Sequence, residues 1–146
     1  MFTTHRLAAS LDLLLAAVPA ASREHSPRVC IALSGGLDST VLLVALAQLV
    51  HEGKLNARLR AIHVDHALQA DSAQWAGACR ELAQAHGVDF DDIRVVVPRV
   101  AGQSPEGAAR EARYAALADR LEPGAILLTA HHADDQLETI LLQWLR

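Results

Sequence analysis

Aromatic residues are only 3% of this 146-residue chain, and cysteine occurs twice, at Cys30 and Cys79. The two thiols form no C-x-x-C pair and share no metal-ligand spacing with the histidines. They read as small buried apolar residues suited to a reducing, cytoplasmic compartment. The formal charge is −4 and no run of Lys or Arg occurs, which excludes a broad nucleic-acid platform from this segment. No stretch reaches membrane-spanning length without a charge or a breaker, so no membrane is expected. Two familiar phosphate loops are also missing. The Gly-Lys pair, Gly53-Lys54, is followed by Leu55 rather than Ser or Thr, and no G-x-G-x-x-G occurs. A P-loop kinase and a dinucleotide dehydrogenase are therefore disfavoured.

What the chain has instead is a hydrophobic content of 51%, rich in Ala, Leu and Val, enough to bury one good core over residues 1–146. Four apolar runs recur at the interval that a strand plus a crossover helix demands: 28–33, 58–64, 92–97 and 125–130. Helical patterns lie between them at 38–51, 71–86 and 105–121, the second with Trp75, Cys79, Leu82 and His86 on one face. Gly53, Gly87 and Pro123-Gly124 punctuate the succession. Strands nearly continuous in apolar residues are covered on both faces, so the expected fold is α/β, with a doubly wound, mostly parallel sheet and ligands beyond its carboxyl edge.

The N-terminal stretch superficially resembles a secretory leader, with His5 and Arg6 before an apolar run. Asp12 interrupts that run, and Leu7, Leu11, Leu14, Leu15 and Val18 share one helical face, so an amphipathic helix is favoured. At the other end, 133–146 carries Leu137, Ile140, Leu141, Trp144 and Leu145 on one face with no glycine or proline to stop it. That pattern leads us to expect part of a longer protein.

The chemistry concentrates at four places. Directly after the first apolar run come Ser34-Gly35-Gly36-Leu37-Asp38-Ser39-Thr40, then the apolar run of a helix. Adjacent glycines permit a tight turn whose N–H groups approach a ligand, and the helix adds its unpaired amides and dipole, a site suited to phosphate. The plain alternative is a turn in which Asp38 or Ser39 merely caps the helix. After the second run, Ile62-His63-Val64-Asp65-His66 places polar side chains beside that turn; equally, His63 could pack in the core while Asp65 and His66 make local turn bonds. In 105–114, Arg110 and Arg113 share one face and could grip phosphate oxygens, or pair with Glu106 at the surface. Finally, Thr129-Ala130-His131-His132-Ala133-Asp134-Asp135-Gln136-Leu137-Glu138 gathers histidines and carboxylates at a helix start. A solvated acidic cap at a helix start is the plain alternative. Zinc is another reading of His131 and Asp135, but hard carboxylate oxygens beside a triphosphate suit Mg²⁺ better.

The first motif matches S-G-G-x-D-S-[ST] and resembles that of the PP-loop ATP pyrophosphatases, an adenine nucleotide alpha hydrolase-like, Rossmann-type fold. Together with H-V-D-H-A-L, E-G-A-A-R-E-A-R-Y and T-A-H-H-A-D-D-Q-L-E-T, it makes essentially the whole chain similar to the N-terminal catalytic domain of the tRNA(Ile)-lysidine synthetases. The resemblance implies ATP and Mg²⁺ as cofactors, and tRNA(Ile) with a CAU anticodon and free lysine as partners in the full-length protein. A homodimer is left open. By matching position, Ser34, Gly35, Gly36, Leu37, Asp38 and Ser39 would hold pyrophosphate, with Asp38 near the metal. His63 and Asp65 would border adenosine, Arg113 and His131 would serve the adenylation centre, and Asp135 and Glu138 would face cytidine and lysine. The rest of the catalytic domain and the tRNA-gripping C-terminal domains of that family are expected to be absent here, and the isolated chain to be inactive on tRNA.

Two rival readings remain. Another PP-loop enzyme, a tRNA thiolase or an amidotransferase-linked synthetase, shares the first motif; thiolases carry cysteine pairs for which Cys30 and Cys79 are ill placed. A non-catalytic nucleotide-binding module of the universal stress type shares the architecture but does not need Arg113, His131, Asp135 and Glu138 at one edge.

Overall fold

The computed structural model describes residues 4–17, 27–65, 72–97, 102 and 104–130. The chain runs α1 (Thr4–Ala17), β1 (Arg28–Ala32), α2 (Leu37–His51), β2 (Arg58–Asp65), α3 (Ser72–Ala85), β3 (Asp89–Arg94), α4 (Pro105–Arg120) and β4 (Ile126–Thr129). All pairings among the described strands are parallel, in the order β3-β2-β1-β4. The chain first moves outward from β1 to β3, then returns to the other side of β1. A crevice therefore opens at the carboxyl ends of β1 and β4, where the two directions part.

Alternation along β1 divides the core. Val29, Ile31 and Leu33 join Leu11 of α1, Leu43, Leu46 and Leu49 of α2, and Cys79 and Ala83 of α3 on one face. Cys30 points the other way, with Ile62 and Leu117 of α4. Helices thus cover both faces, as the doubly wound expectation requires, and α1 docks through Leu11 with Leu7 and Ala8 packed around it. The side chains of Leu14 and Leu15, and residue Val18, lie outside the described residues, as does the segment 131–146.

Two expectations need correction. The third strand is Asp89–Arg94, not 92–97, and its sequence DFDDIR is not an apolar run. Among the described residues it is an outer strand that pairs with β2 alone. Its acidic side chains find cations or solvent: the Asp91 carboxylate pairs with Arg60 and lies 3.9 Å from Arg120. Charge on an outer strand also discourages pairing with other chains. On α3, the buried stripe is Ala76, Cys79 and Ala83, whereas Trp75 is half-exposed and His86 exposed. Small side chains let the helix lie close to the sheet, which pushes the large Trp75 ring to the margin.

Candidate nucleotide-binding site

Leu33 extends the β1–β2 pairing, its N–H donating to the Ile62 carbonyl at 2.9 Å, and the chain then turns sharply. Gly35 makes the turn at φ 84°, a left-handed conformation that a side chain would strain. Gly36 is the N-cap of α2 and supplies no side-chain acceptor to the helix start. On α4, by contrast, the Ser104 hydroxyl accepts from the Gly107 N–H at 3.1 Å. The start of α2 is thus open to an outside anion in a way that the start of α4 is not.

Hydroxyls brace the turn from within. Ser34 Oγ and Ser39 Oγ lie 3.0 Å apart, Ser39 Oγ donates to the Gly36 carbonyl at 3.0 Å, and Ser34 Oγ accepts from the Gly36 N–H at 3.3 Å. Ser39 is buried, while Ser34, Gly36, Leu37 and Asp38 face solvent. Ser39 thus braces the loop from inside, and the exposed members form its outer surface.

His63 lies beneath this turn. The residue is only 6% exposed, and Nδ1 donates to the Leu33 carbonyl at 2.8 Å. The backbone carbonyl can only accept, so the proton sits on Nδ1. The ring is packed at the carboxyl edge and ties the ends of the two strands together. Asp65, half-buried at the end of β2, stands at the same carboxyl edge, its carbonyl accepting from the Val95 N–H at 2.8 Å.

Arg113 reaches the crevice from α4. It lines a cleft of about 180 Å³ with Ser34, Ser39, Tyr114, Thr129 and Ala130. Tyr114 is the platform for two guanidiniums: those of Arg113 and Arg110 stand 5.5 and 5.7 Å from its ring centre. Stacking of this kind orients a charged fork without removing its charge. His131, Asp135 and Glu138 lie outside the described residues, as does His66. A hollow of about 340 Å³ opens at the amino end of the strands, lined by Arg28, Arg60, Asp91 and Glu122. Although larger, it is walled by charges paired with one another, Arg28 with Glu122 and Arg60 with Asp91, and it lies far from the glycine turn.

Both thiols are free and buried. Burial pushes the Cys79 thiol above its ordinary value, with Asp92 adding to the rise. Burial likewise raises Cys30, with Asp91 pushing the same way and Arg60 and Arg28 opposing. Neither is a ready nucleophile. Residue-by-residue reading missed Tyr114 as a platform and the approach of Trp75 to Gly35; Tyr114 ends the third motif, whereas nothing local in the sequence marks Trp75.

A strand, a diglycine turn opening an uncapped helix, and an arginine across the crevice together define a PP-loop domain. The pattern of that family, described as the PP-loop domain, matches residues 4–146, and the chain belongs to it. Among its relatives is the tRNA(Ile)-lysidine synthase of Alkalilimnicola ehrlichii, 55% identical over 117 residues, covering 80% of this chain and 26% of that protein. The synthase of Pseudomonas syringae pv. tomato is 54% identical over 113 residues, 77% of this chain and 25% of that one. For Burkholderia mallei the figures are 48% over 139 residues, 94% and 27%. The chain thus spans about a quarter of the length of the curated relatives it matches. A solved structure, the U34-tRNA thiolase NcsA of Methanococcus maripaludis with its 4Fe-4S cluster, shares the fold. It has 14% identity and a TM-score of 0.64, covering 99% of this chain and 51% of that one.

Proposed function

We propose that this chain is the ATP-binding part of a tRNA(Ile)-lysidine synthase, which joins lysine to the wobble cytidine of tRNA(Ile). The observation that carries the reading is the cleft in which Arg113 faces Ser34 and Ser39 across the end of β1. It is joined by the similarity to synthases of that name.

The turn fits a pyrophosphate group. Gly35 presents no Cβ, and the start of α2 has no side-chain cap to compete with phosphate oxygens. Asp38, exposed in the first turn of α2, offers one hard carboxylate oxygen. Mg²⁺ is commonly held by one or two carboxylates together with substrate phosphates, so a single protein carboxylate suffices. The metal would neutralise charge on the departing pyrophosphate.

In the proposed reaction, cytosine O2 forms a bond to the α-phosphorus of ATP while the α–β bridging bond breaks and pyrophosphate leaves with the electron pair. The deprotonated ε-amine of lysine then attacks C2 and expels AMP. Arg113 offsets charge growing on phosphorus, and His131 acts on the cytosine or phosphate oxygen. Asp135 and Glu138 face cytidine and lysine, where a carboxylate attracts the ammonium and takes its proton. Ser34 to Ser39 cradle the pyrophosphate, while His63 and Asp65 border the adenosine.

A thiolase is less well supported, because Cys30 and Cys79 lie on opposite faces of the sheet and cannot share a cluster. With a charge of −4 and no basic run, the 146 residues alone are proposed to bind ATP·Mg²⁺ without modifying tRNA. Lysine-dependent release of AMP, measured with the full-length protein and transcribed tRNA(Ile), tests the reading. AMP release that ignores lysine would overturn it.

A further inference from the structure

Trp75 occupies the space that a side chain at position 35 would need. A Cβ placed on Gly35 would come within 2.9 Å of Trp75 Cε3 and 3.2 Å of Cys79 Sγ. Two unrelated constraints therefore fall on one residue: φ 84° strains any side chain, and the indole leaves no room for one. The ring comes from α3, whereas the turn lies between β1 and α2, so this approach is made only in the folded chain.

The turn is consequently held from two sides. Ser34 and Ser39 brace it through their hydroxyls, and the edge of the indole closes the space beside Gly35. An anion site made of backbone N–H groups works only if those groups already point inward, since ordering them on binding subtracts from affinity. Leucine or alanine at position 75 would leave a void into which the glycine turn could relax. Trp75 is also half-exposed, 50%, so one part of the ring touches the turn while another meets solvent. An indole placed in this way senses any change in the loop beside it.

We propose that Trp75 is a positioning residue of the nucleotide site, holding the diglycine turn in its anion-accepting shape and changing its emission when the turn is occupied. The proposal rests on the reading that this turn binds the pyrophosphate part of ATP.

The test compares the 146-residue chain with Trp75→Ala and Trp75→Phe. Equilibrium dialysis with labelled ATP·Mg²⁺ measures binding without using the indole, and tryptophan emission is followed in parallel with ATP·Mg²⁺ and with inorganic pyrophosphate. The expected result is a saturable emission change in the parent with the dialysis midpoint. Trp75→Ala should weaken affinity about tenfold, equivalent to ~1.4 kcal/mol. Trp75→Phe should keep most of the affinity, because a ring still fills the space, yet lose the emission change. A void that merely lowered stability would shift the unfolding midpoint and leave the affinity of the folded protein alone. If ATP binds by dialysis while parent emission stays flat and Trp75→Ala binds like the parent, the positioning role is overturned and the pyrophosphate reading stands. If neither ATP nor pyrophosphate binds the parent chain, both are overturned.

Discussion

The imidazole of His63 and the carbonyl of Leu33 are joined at 2.8 Å, so the end of β2 grips the last residue before the glycine turn. Leu33 is itself buried, 1% exposed, and no solvent can replace that donor easily. His63→Ala is expected to lower stability by about 1–3 kcal/mol, the usual cost of stranding a buried partner. Asparagine, which offers an N–H at similar reach, should recover part of the loss. Urea unfolding of the three proteins measures it, and an unchanged midpoint in the alanine variant would remove the tie.

Arg113 stacks on Tyr114 at the edge of the cleft. In the full-length enzyme, Arg113→Ala should reduce tRNA-dependent pyrophosphate release by about 10²–10³-fold, the usual effect of deleting one charge-stabilising donor. Lysine should rescue little, because an ammonium neither forks onto two oxygens nor stacks as a plane. Full activity in Arg113→Lys would take the guanidinium out of the reaction.

Both thiols are held protonated by burial, their pKa values lying above the ordinary 9.0. A folded-state value above the unfolded one means that the native form binds more protons in alkaline solution. The contribution to stability is therefore complete below pH 9 and declines as the pH climbs through the folded values. Unfolding midpoints should fall beyond pH 9 in the parent and less so in a Cys30→Ala, Cys79→Ala double variant. At pH 8 an alkylating reagent should label neither thiol until denaturant is added.

At the amino end of the sheet, Arg60 and Asp91 join β2 to the outer strand β3. Both side chains keep part of their solvent, at 31% and 25% exposure, so screening limits their attraction. A double-mutant cycle with Arg60→Met and Asp91→Asn should give a coupling of about 0.2–1 kcal/mol, shrinking in molar salt. A coupling that ignored salt would mean that the pair is effectively buried.

How much of this could be read from sequence depended on where the determining contacts lie. β1, β2 and α2 are specified by apolar runs, and β1 and α2 also by the glycines that follow them, which are local features, and they formed close to the expected positions. β3 was misplaced because an outer strand needs only one apolar face and one neighbour. Asp89 and Asp91 look like loop residues until Arg60 is placed opposite. Trp75 was expected to share the buried face of α3 with Cys79. Its actual contact with Gly35 depends on how closely α3 settles on the sheet, which is decided by Ala76 and Ala83 rather than by Trp75. His63 was ambiguous between ligand and core for a similar reason, since its hydrogen-bond partner lies on another strand. Arg113 was placed on a helix by its sequence pattern, but its position beside Ser34 and Ser39 depends on the return of β4 to the far side of β1, which no local pattern encodes.

That return has a consequence for biosynthesis. Val29 sits level with Ile126, so the two walls of the crevice leave the ribosome far apart in time. The glycine turn is made early, but its opposite wall does not exist until β4 has been synthesised and inserted. A nascent chain lacks the finished crevice until then, however early its glycine turn has formed.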